Sequence, residues 1–508
     1  MNLAEIVSES AARTPQAVAI KLDEFELNYA VLEQGAMRVA GMLERWGVEP
    51  GDRVALMVPN IPQFALLYYG ILRAGAVVVP LNVLSSRREV EFFMRDSGAG
   101  LLFVFELFEQ VGRGGAEDAG AGTIIVDRER FAQAVLGSEP RTEIVQRAGE
   151  DTAVMLYTSG TTGTPKGAEL THLNLLGNCQ VCRDMFDMPA GTVLLGALPL
   201  FHAFGQTSAL NACMLGGQTL TLLPRFDGAQ ALQIIERDRV MLFQGVPSMY
   251  GAMLNAPGRD RYDASSLELC VSGGSAMPVE LLHEFERAFG CTILEGYGLS
   301  ETSPVASFNH PDRPSKVGSI GTPIDGVEMR IVDEHDDELP VGDVGEIVIR
   351  GGNVMKGYWR RPEATTEAMR GGWFHTGDLA RVDDDGYFFI VDRKKDLIIR
   401  NGFNVYPREV EEILYAHPAV REAAVVAVPD GVVGEEVGAA VVLKDGATAS
   451  TDELREFVKE QVAAFKYPRR VWIVDDLPIG PTGKILKREI EIPAAAQSPA
   501  AESSAAES

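Results

Sequence analysis

Cysteine is scarce, with five in 508 residues at positions 179, 182, 213, 270 and 291. So few cannot form the disulfide scaffold of a chain this long. Cys179 and Cys182 make a Cys-x-x-Cys, but no second pair completes a metal set. That leaves a redox pair or two buried thiols one helical turn apart. Positive charge is also in deficit: 46 Lys and Arg face 72 Asp and Glu, a net charge of −26. This argues against a general nucleic-acid binder and against non-specific adhesion to anionic membranes, while a local basic cluster could still hold an anionic substrate. Long apolar runs are missing too. The most membrane-like stretch, 64–79, is interrupted by Arg73 and Gly75 and passes from Leu and Tyr to consecutive valines. It reads as a buried helix feeding a buried strand, not as a span. The first ten residues carry Glu5 and Glu9 and have no basic segment before an apolar one. No secretory signal is expected, and the protein is expected to be cytoplasmic.

The length implies about two to four domains or subdomains. Up to about residue 181, helical and strand patterns alternate. Asn28 is placed to cap a helix with apolar positions Leu32, Val39, Leu43 and Trp46, ending at Gly47. Strands are expected over 53–58, 76–79, 101–105 and 123–126, with a helix over 62–74 and a glycine-rich loop over 112–122. This alternation predicts an α/β domain with a largely parallel sheet, where ligands sit beyond the strand C-termini. From 191 to 323 the pattern repeats. Strands over 192–198, 241–246, 269–271 and 292–294 each run into a loop of Gly, Ser, Pro or an aromatic, and a helix follows over 279–289. If these strands are parallel neighbours, their loops converge on one edge.

Residues 319–391 change texture. Short alternating strands such as 328–332 and 346–350, separated by acidic turns, predict a β-rich subdomain. The charged run 393–396 is either a hinge or a solvated turn. A compact α+β unit follows, with a helix over 407–417, strands over 422–428 and 439–443, and a helix over 451–464. Residues 493–508, rich in Ala, Ser and Glu without aromatics, are expected to be a disordered tail.

The densest chemical signal is Tyr157-Thr158-Ser159-Gly160-Thr161-Thr162-Gly163-Thr164-Pro165-Lys166-Gly167. Glycines let backbone N–H groups approach oxygens, hydroxyls add donors and Lys166 adds charge, a composition suited to a polyphosphate. It is not a Walker A loop, because Pro165 precedes the lysine and Gly167 follows it. Alone it also fits a flexible surface turn. It does not stand alone. Pro199-Leu200-Phe201-His202, Gly296-Tyr297-Gly298-Leu299-Ser300-Glu301, Thr376-Gly377-Asp378, Asp392-Arg393-Lys394-Lys395-Asp396 and Pro478-Ile479-Gly480-Pro481-Thr482-Gly483-Lys484 follow it in that order. Together these motifs resemble the acyl-adenylate-forming enzymes, which include acyl-CoA synthetases, adenylation domains and luciferases. The resemblance covers roughly residues 5 to 490 and is strongest to fatty-acyl-CoA ligases.

The resemblance implies a large N-terminal domain (1–393) of two α/β subdomains plus a distorted β-barrel, then a small mobile α+β domain (394–492). It implies that Thr158, Ser159, Gly160, Thr161, Thr162, Gly163 and Lys166 hold the β- and γ-phosphates of ATP. Ser300 would donate to the α-phosphate, and Glu301 would hold Mg²⁺. Tyr297 and the loop Gly273-Gly274-Ser275 would sandwich the adenine, with Glu295, Gly296 and Gly298 in the same nucleotide set. Asp378 and Arg393 would bond the ribose hydroxyls. Lys484 would bridge the acid's carboxylate and the α-phosphate, and Lys395 would be the hinge. His202, Phe204, Gly205, Val246, Tyr297 and Leu299 would line the acyl pocket, with His202 also approaching the carboxylate. Arg400, Gly402, Phe403 and Asn404 would meet coenzyme A. There Arg400-Asn401-Gly402-Phe403 departs from the commoner Ser-Gly-Gly-Glu, which loosens the CoA assignment.

The activity implied is ATP-dependent activation of a medium- to long-chain fatty acid as an acyl-adenylate, followed by transfer to CoA. Small or apolar residues near the presumed pocket leave room for an alkyl chain. The alternatives are an aryl- or cinnamate-type CoA ligase, an acyl-AMP ligase that loads a carrier protein, and a nucleotide-binding protein without turnover. Partners are then a fatty acid, ATP and CoA, with no nucleic acid and no transmembrane segment. Peripheral membrane contact is allowed, as is a monomer or a homodimer.

Overall fold

The computed structural model describes residues 1–127, 129–158, 164–480 and 483–497. The chain forms two compact units. One comprises 1–275, 285–329 and 348–376; the other comprises 276–284, 330–347 and the chain from 377 onward.

The first unit carries two sheets. In the seven-stranded sheet the order is Gly357–Tyr358, Lys166–Thr171, Thr152–Thr158, Val77–Pro80, Arg53–Met57, Leu101–Phe105, Gly122–Val126. The last five strands are mutually parallel, and the first two are antiparallel additions. The strand Lys166–Thr171, which returns from the Lys166 loop as a hairpin, had no alternation clear enough to be foreseen. Asn28 caps the helix Tyr29–Arg45, its side chain accepting from Val31 N–H. Trp46 follows that helix and is 42% exposed, so it does not belong to the core face assigned to it.

The expected glycine-rich loop at 112–122 is instead the helix Glu109–Asp118. Glycine disfavours helices by about 1 kcal/mol each, but here close packing requires it. A Cβ on Gly112 would come within 2.6 Å of Val104, and one on Gly115 within 2.7 Å of Val90. Tertiary contact overrides propensity there.

The nine-stranded sheet runs Thr322–Pro323, Val305–Phe308, Thr292–Gly298, Leu269–Ser272, Leu242–Gly245, Val193–Gly196, Thr219–Leu222, Val18–Leu22, Phe25–Asn28. The four strands anticipated between 192 and 298 are direct parallel neighbours, so their C-terminal loops leave one edge together. Arg73, which broke the apolar stretch, lies at the end of the buried helix Pro62–Arg73 and is only 2% exposed. Its guanidinium pairs with Glu33 at 2.7 Å and donates to the carbonyls of Arg141 and Thr142, which satisfies the buried charge. No helix among the described residues is long and apolar enough to cross a membrane.

Between 327 and 393 the strands Val327–Val332, Gly345–Gly351, Phe374–Val382 and Phe388–Arg393 form a four-stranded sheet in that order. Beyond it, a five-stranded sheet is built on the long hairpin Val420–Asp430 and Gly434–Leu443. Helices Pro407–Tyr415 and Thr451–Lys459 bury Val410, Leu414, Leu454 and Val458 in its core. A capping box of Ser450 and Glu453 starts the second helix. That helix stops at Lys459, short of the expected 464.

Candidate active site

The hairpin Thr152–Thr158 and Lys166–Thr171 pairs Thr158 directly with Lys166. Ser159, Gly160, Thr161, Thr162 and Gly163 lie outside the described residues. Tyr157 fixes one side of the hairpin: its hydroxyl donates to Asp96 at 2.9 Å, and Arg361 pairs with the same carboxylate at 2.6 Å. The short strand Gly357–Tyr358 adds to the hairpin edge and sets Tyr358 opposite Ala168.

These elements meet at Glu301, on the single 3-10 turn Ser300–Thr302. Thr158 Oγ1 and Tyr358 OH each donate to Glu301 Oε1 at 3.0 Å. Met355 N–H donates to the Glu301 carbonyl at 2.8 Å and holds its backbone. Lys166 Nζ stands 5.1 Å from the centre of the Tyr358 ring, within cation–π range. Burial, and after it the Glu301 charge, raise the Tyr358 phenol well above its ordinary value, so it remains a donor. Among the described residues, both hydrogen bonds to this carboxylate fall on Oε1, which leaves Oε2 for a cation. No cluster of three or more metal-ligating side chains exists among the described residues. A single carboxylate suits Mg²⁺, which draws its other ligands from water and substrate phosphates.

On the second sheet, Glu295 Oε2 accepts from Gly318 N–H at 3.2 Å, and its carbonyl accepts from Asn309 N–H. The loop after it is packed against backbone: a Cβ on Gly298 would lie 1.8 Å from the Pro304 oxygen. Tyr297 and Ser300 are half-buried, Gly274 and Ser275 are exposed, and Gly274 has φ +81°. The loop bearing His202 is stapled by buried Asn60. That side chain donates to the carbonyls of Gly196 and Leu198 and accepts from Leu200 N–H. Phe204 N–H donates to His202 Nδ1 at 3.3 Å. The π-helix Phe204–Asn211 then turns inward, and Phe204 also flanks Gly273. Behind Phe204 lies a small cavity of about 10 Å³ bordered by Cys182, Phe186, Ser208, Gln244 and Phe308. Of the six expected acyl-pocket residues, Phe204 is the one that lines it; Val246 is buried, while His202, Tyr297 and Leu299 are half-buried. Cys179 and Cys182 are buried on one helix, and burial pushes the Cys182 thiol up to about 12. A redox pair needs the opposite shift.

In the second unit, Asp378 is 3% exposed and pairs with Arg393 Nε at 2.9 Å across the Phe374–Val382 and Phe388–Arg393 ladder. Glu346 accepts from Gly377 N–H at 2.9 Å and sits 3.7 Å from Lys394. Lys395 lies in the turn that follows; burial, then the Arg393 charge, lowers its pKa. Arg400 is bound bidentately by Glu436 at 2.6 and 3.0 Å. Asn401 and Gly402, with φ of +50° and +82°, make the tight hairpin that presents Phe403 and Asn404. Phe403 is 54% exposed and stacks on Phe465 at 4.9 Å. The Lys484 carbonyl accepts from Gly480 N–H at 2.7 Å; Pro481 and Thr482 lie outside the described residues.

Residues 7–359 match the AMP-binding enzyme family, and residues 409–484 match the AMP-binding enzyme C-terminal domain. The chain belongs to the AMP-binding enzyme family. A similar family member, the long-chain-fatty-acid–CoA ligase of Bacillus subtilis, is 38% identical over 96% of this chain and 94% of its own length. The feruloyl-CoA synthase of an Amycolatopsis species is 39% identical over 94% of this chain and 96% of its own. Among solved structures, ATP-bound MatB from Rhodopseudomonas palustris is 34% identical, with a TM-score of 0.89 over 96% of this chain and 98% of that one. The anthranilate CoA ligase AuaEII in complex with anthranoyl-AMP has a TM-score of 0.91 at 28% identity, covering 96% of each chain.

Family motifs did not point to every residue of the site. Tyr358, Asp96 and Asn60 act through contacts 57 to 265 positions away along the chain, and a single sequence carries no signal for that.

Proposed function

We propose that the protein is an ATP-dependent acid–CoA ligase that activates a medium- to long-chain fatty acid. The carboxylate oxygen attacks the α-phosphorus of ATP, the bond to pyrophosphate breaks, and acyl-AMP forms. The sulfur of CoA then attacks the acyl carbon, AMP leaves, and the thiol proton passes to solvent. The observation that carries this reading is the preorganised Glu301 carboxylate, held by Thr158 and Tyr358 beside Lys166. A divalent cation held by Glu301 would offset charge on the triphosphate.

Lys166 and the hydroxyl-rich hairpin loop bind the terminal phosphates. Ser300 donates to the α-phosphate. Tyr297 and the Gly273-Gly274-Ser275 loop enclose the adenine. Asp378, its charge offset by Arg393, orients the ribose. Lys484 bridges the two anions whose mutual repulsion opposes the first step. His202, whose Nδ1 accepts from Phe204 N–H, takes part in binding the acid. Phe403 and Asn404, presented by the Asn401-Gly402 turn, meet CoA, with Lys395 as the hinge between the two half-reactions. Arg400 can join them only if Glu436 is displaced or shared.

The fatty-acid reading is supported by the Bacillus subtilis relative across nearly the whole chain. An aryl acid is the second reading, supported by the feruloyl-CoA synthase relative. The test is pyrophosphate release across fatty and aromatic acids with CoA, with acyl-CoA identified by mass spectrometry. Release without any acid, or with amino acids alone, would overturn the proposal.

A further inference from the structure

We propose that Asp96 is a positioning residue for the cation and phosphate site, holding Thr158, Lys166 and Tyr358 in place from the opposite face of the hairpin. This deepens the ligase reading and rests on it. The contacts of Asp96 are with the chain neighbours of those three residues. Its Oδ2 accepts from Tyr157 OH at 2.9 Å, its Oδ1 pairs with Arg361 at 2.6 Å, and its backbone carbonyl accepts from Trp359 Nε1 at 3.0 Å. Successive side chains of a strand point to opposite faces. Tyr157 therefore faces Asp96 while Thr158 faces Glu301, and Trp359 faces Asp96 while Tyr358 faces Glu301. Trp359 N–H also donates to the Gly167 carbonyl at 2.8 Å, one residue beyond Lys166.

Local physics argues against an acid at this position. Asp96 is the last residue but one of the helix Arg87–Ser97. The C-terminal end of a helix carries partial negative charge, which disfavours a carboxylate and favours a cation. The side chain is 11% exposed, and burial adds to the cost. Neutralising Arg361 does not account for it, because that side chain is 40% exposed and water can solvate it. Packing of the helix does not need the charge either: Phe92 and Phe93 already meet the Tyr157 ring, with centroids 6.1 and 4.7 Å apart. What the carboxylate adds is direction. Each of its two oxygens takes a donor from a different segment, so the hairpin and the 357–361 segment are tied to one helix end. These are the two segments that each deliver a hydroxyl to Glu301 Oε1. Burial, and after it the Asp96 charge, raise the Tyr157 phenol above its ordinary value, so it stays a donor.

The experiment follows the two half-reactions separately in the wild type, Asp96→Ala and Tyr157→Phe. Adenylation is read by ATP–pyrophosphate exchange with the fatty or aromatic acid that reacts fastest, and thioester formation is read from preformed acyl-adenylate. The first needs the triphosphate and its cation; the second needs neither. Misplacing reacting groups by about 1 Å can cost ~10²-fold, so exchange should fall about tenfold to a hundredfold in Asp96→Ala. It should fall less, but in the same direction, in Tyr157→Phe, which removes one oxygen and serves as the test should the first variant not fold. In both, KM for ATP and the Mg²⁺ concentration for half-maximal rate should rise, while thioester formation per folded molecule stays close to the wild type. The double variant should be no worse than Asp96→Ala alone, because Tyr157 acts through Asp96. A merely structural carboxylate would lower both half-reactions together, in step with the melting temperature. That outcome, or exchange and Mg²⁺ dependence unchanged in both variants, would overturn the positioning role and leave the ligase reading intact. No exchange by the wild type with any fatty or aromatic acid would overturn the ligase reading, and this role with it.

Discussion

Replacing Tyr358 by Phe removes one oxygen and keeps the ring under Lys166, which isolates a single hydrogen bond to Glu301. Glu301 is 7% exposed, and among the described residues Oε1 would keep only the Thr158 hydroxyl at 3.0 Å. Its backbone stays anchored by Met355 N–H, so the change falls on the aim of the carboxylate and not on the chain. A hydrogen bond to a charged group is worth about 1.5–3 kcal/mol, and 1.4 kcal/mol is about a factor of ten. The adenylation half-reaction, followed by pyrophosphate exchange, should therefore fall by about tenfold to a hundredfold. The Mg²⁺ concentration for half-maximal rate should rise. Thr158→Val should act in the same direction. Because both donors serve one oxygen, the double variant should depart from additivity. Mg²⁺ titrations of Tyr358→Phe and wild type that superimpose, with equal rates, would refute the idea that this triad sets the cation site.

Three further outcomes follow from the geometry. His172 accepts from Leu3 N–H at 3.0 Å through Nδ1, and burial lowers its pKa from 6.5 to about 4. The unfolded state then binds the proton more readily, so this stabilisation, about 3 kcal/mol at most, is complete above about pH 6.5 and is lost as pH falls towards 4. Urea unfolding at pH 7 and 4.5 should show less acid destabilisation in His172→Gln; identical profiles would remove the assignment. Arg73→Ala leaves Glu33 with the Ser8 hydroxyl but no opposite charge and two backbone carbonyls without their donor, and should cost about 3–5 kcal/mol by chemical denaturation. A loss below ~1 kcal/mol would show that the pair is not needed. Lys484→Ala should lower adenylation at least ~10²-fold while leaving thioester formation from preformed acyl-adenylate nearly intact. Equal loss in both halves would count against a lysine that leaves between steps.

The sequence carried the site motifs further than the packing around them. The strand-then-loop rhythm between 192 and 302 survives folding because each buried parallel strand must be apolar and each C-terminal loop small, so both are visible in one dimension. The helix Glu109–Asp118 looks like a loop along the chain because its glycines answer to Val104 and Val90, neighbours that only the fold supplies. The strand Lys166–Thr171 is hidden for a related reason: its pairing with Thr152–Thr158 is a property of the hairpin, not of its own residues. Tyr358 lies 57 positions from Glu301 and was invisible from either side. What can be read along the chain is the residue that does the chemistry; what cannot is the residue that aims it.

The two carboxylates assigned to the nucleotide share one physical logic. Glu301 in the first unit and Asp378 in the second are both nearly buried, and each already has a partner within its own unit: hydroxyl donors for Glu301, the Arg393 guanidinium for Asp378. Burying a charge is costly unless hydrogen bonds or an opposite charge offset it. Here folding has met that cost before any ligand arrives, so under the proposed assignment the groups would need little reorganisation to meet phosphate and ribose. The difference between them is equally telling. Neutral donors leave Glu301 a full negative charge to offer a cation. Asp378 is instead paired with the Arg393 guanidinium at 2.9 Å, an arrangement that fits the proposed contact with neutral ribose hydroxyls better than a metal. The partner, more than the carboxylate, assigns each its role.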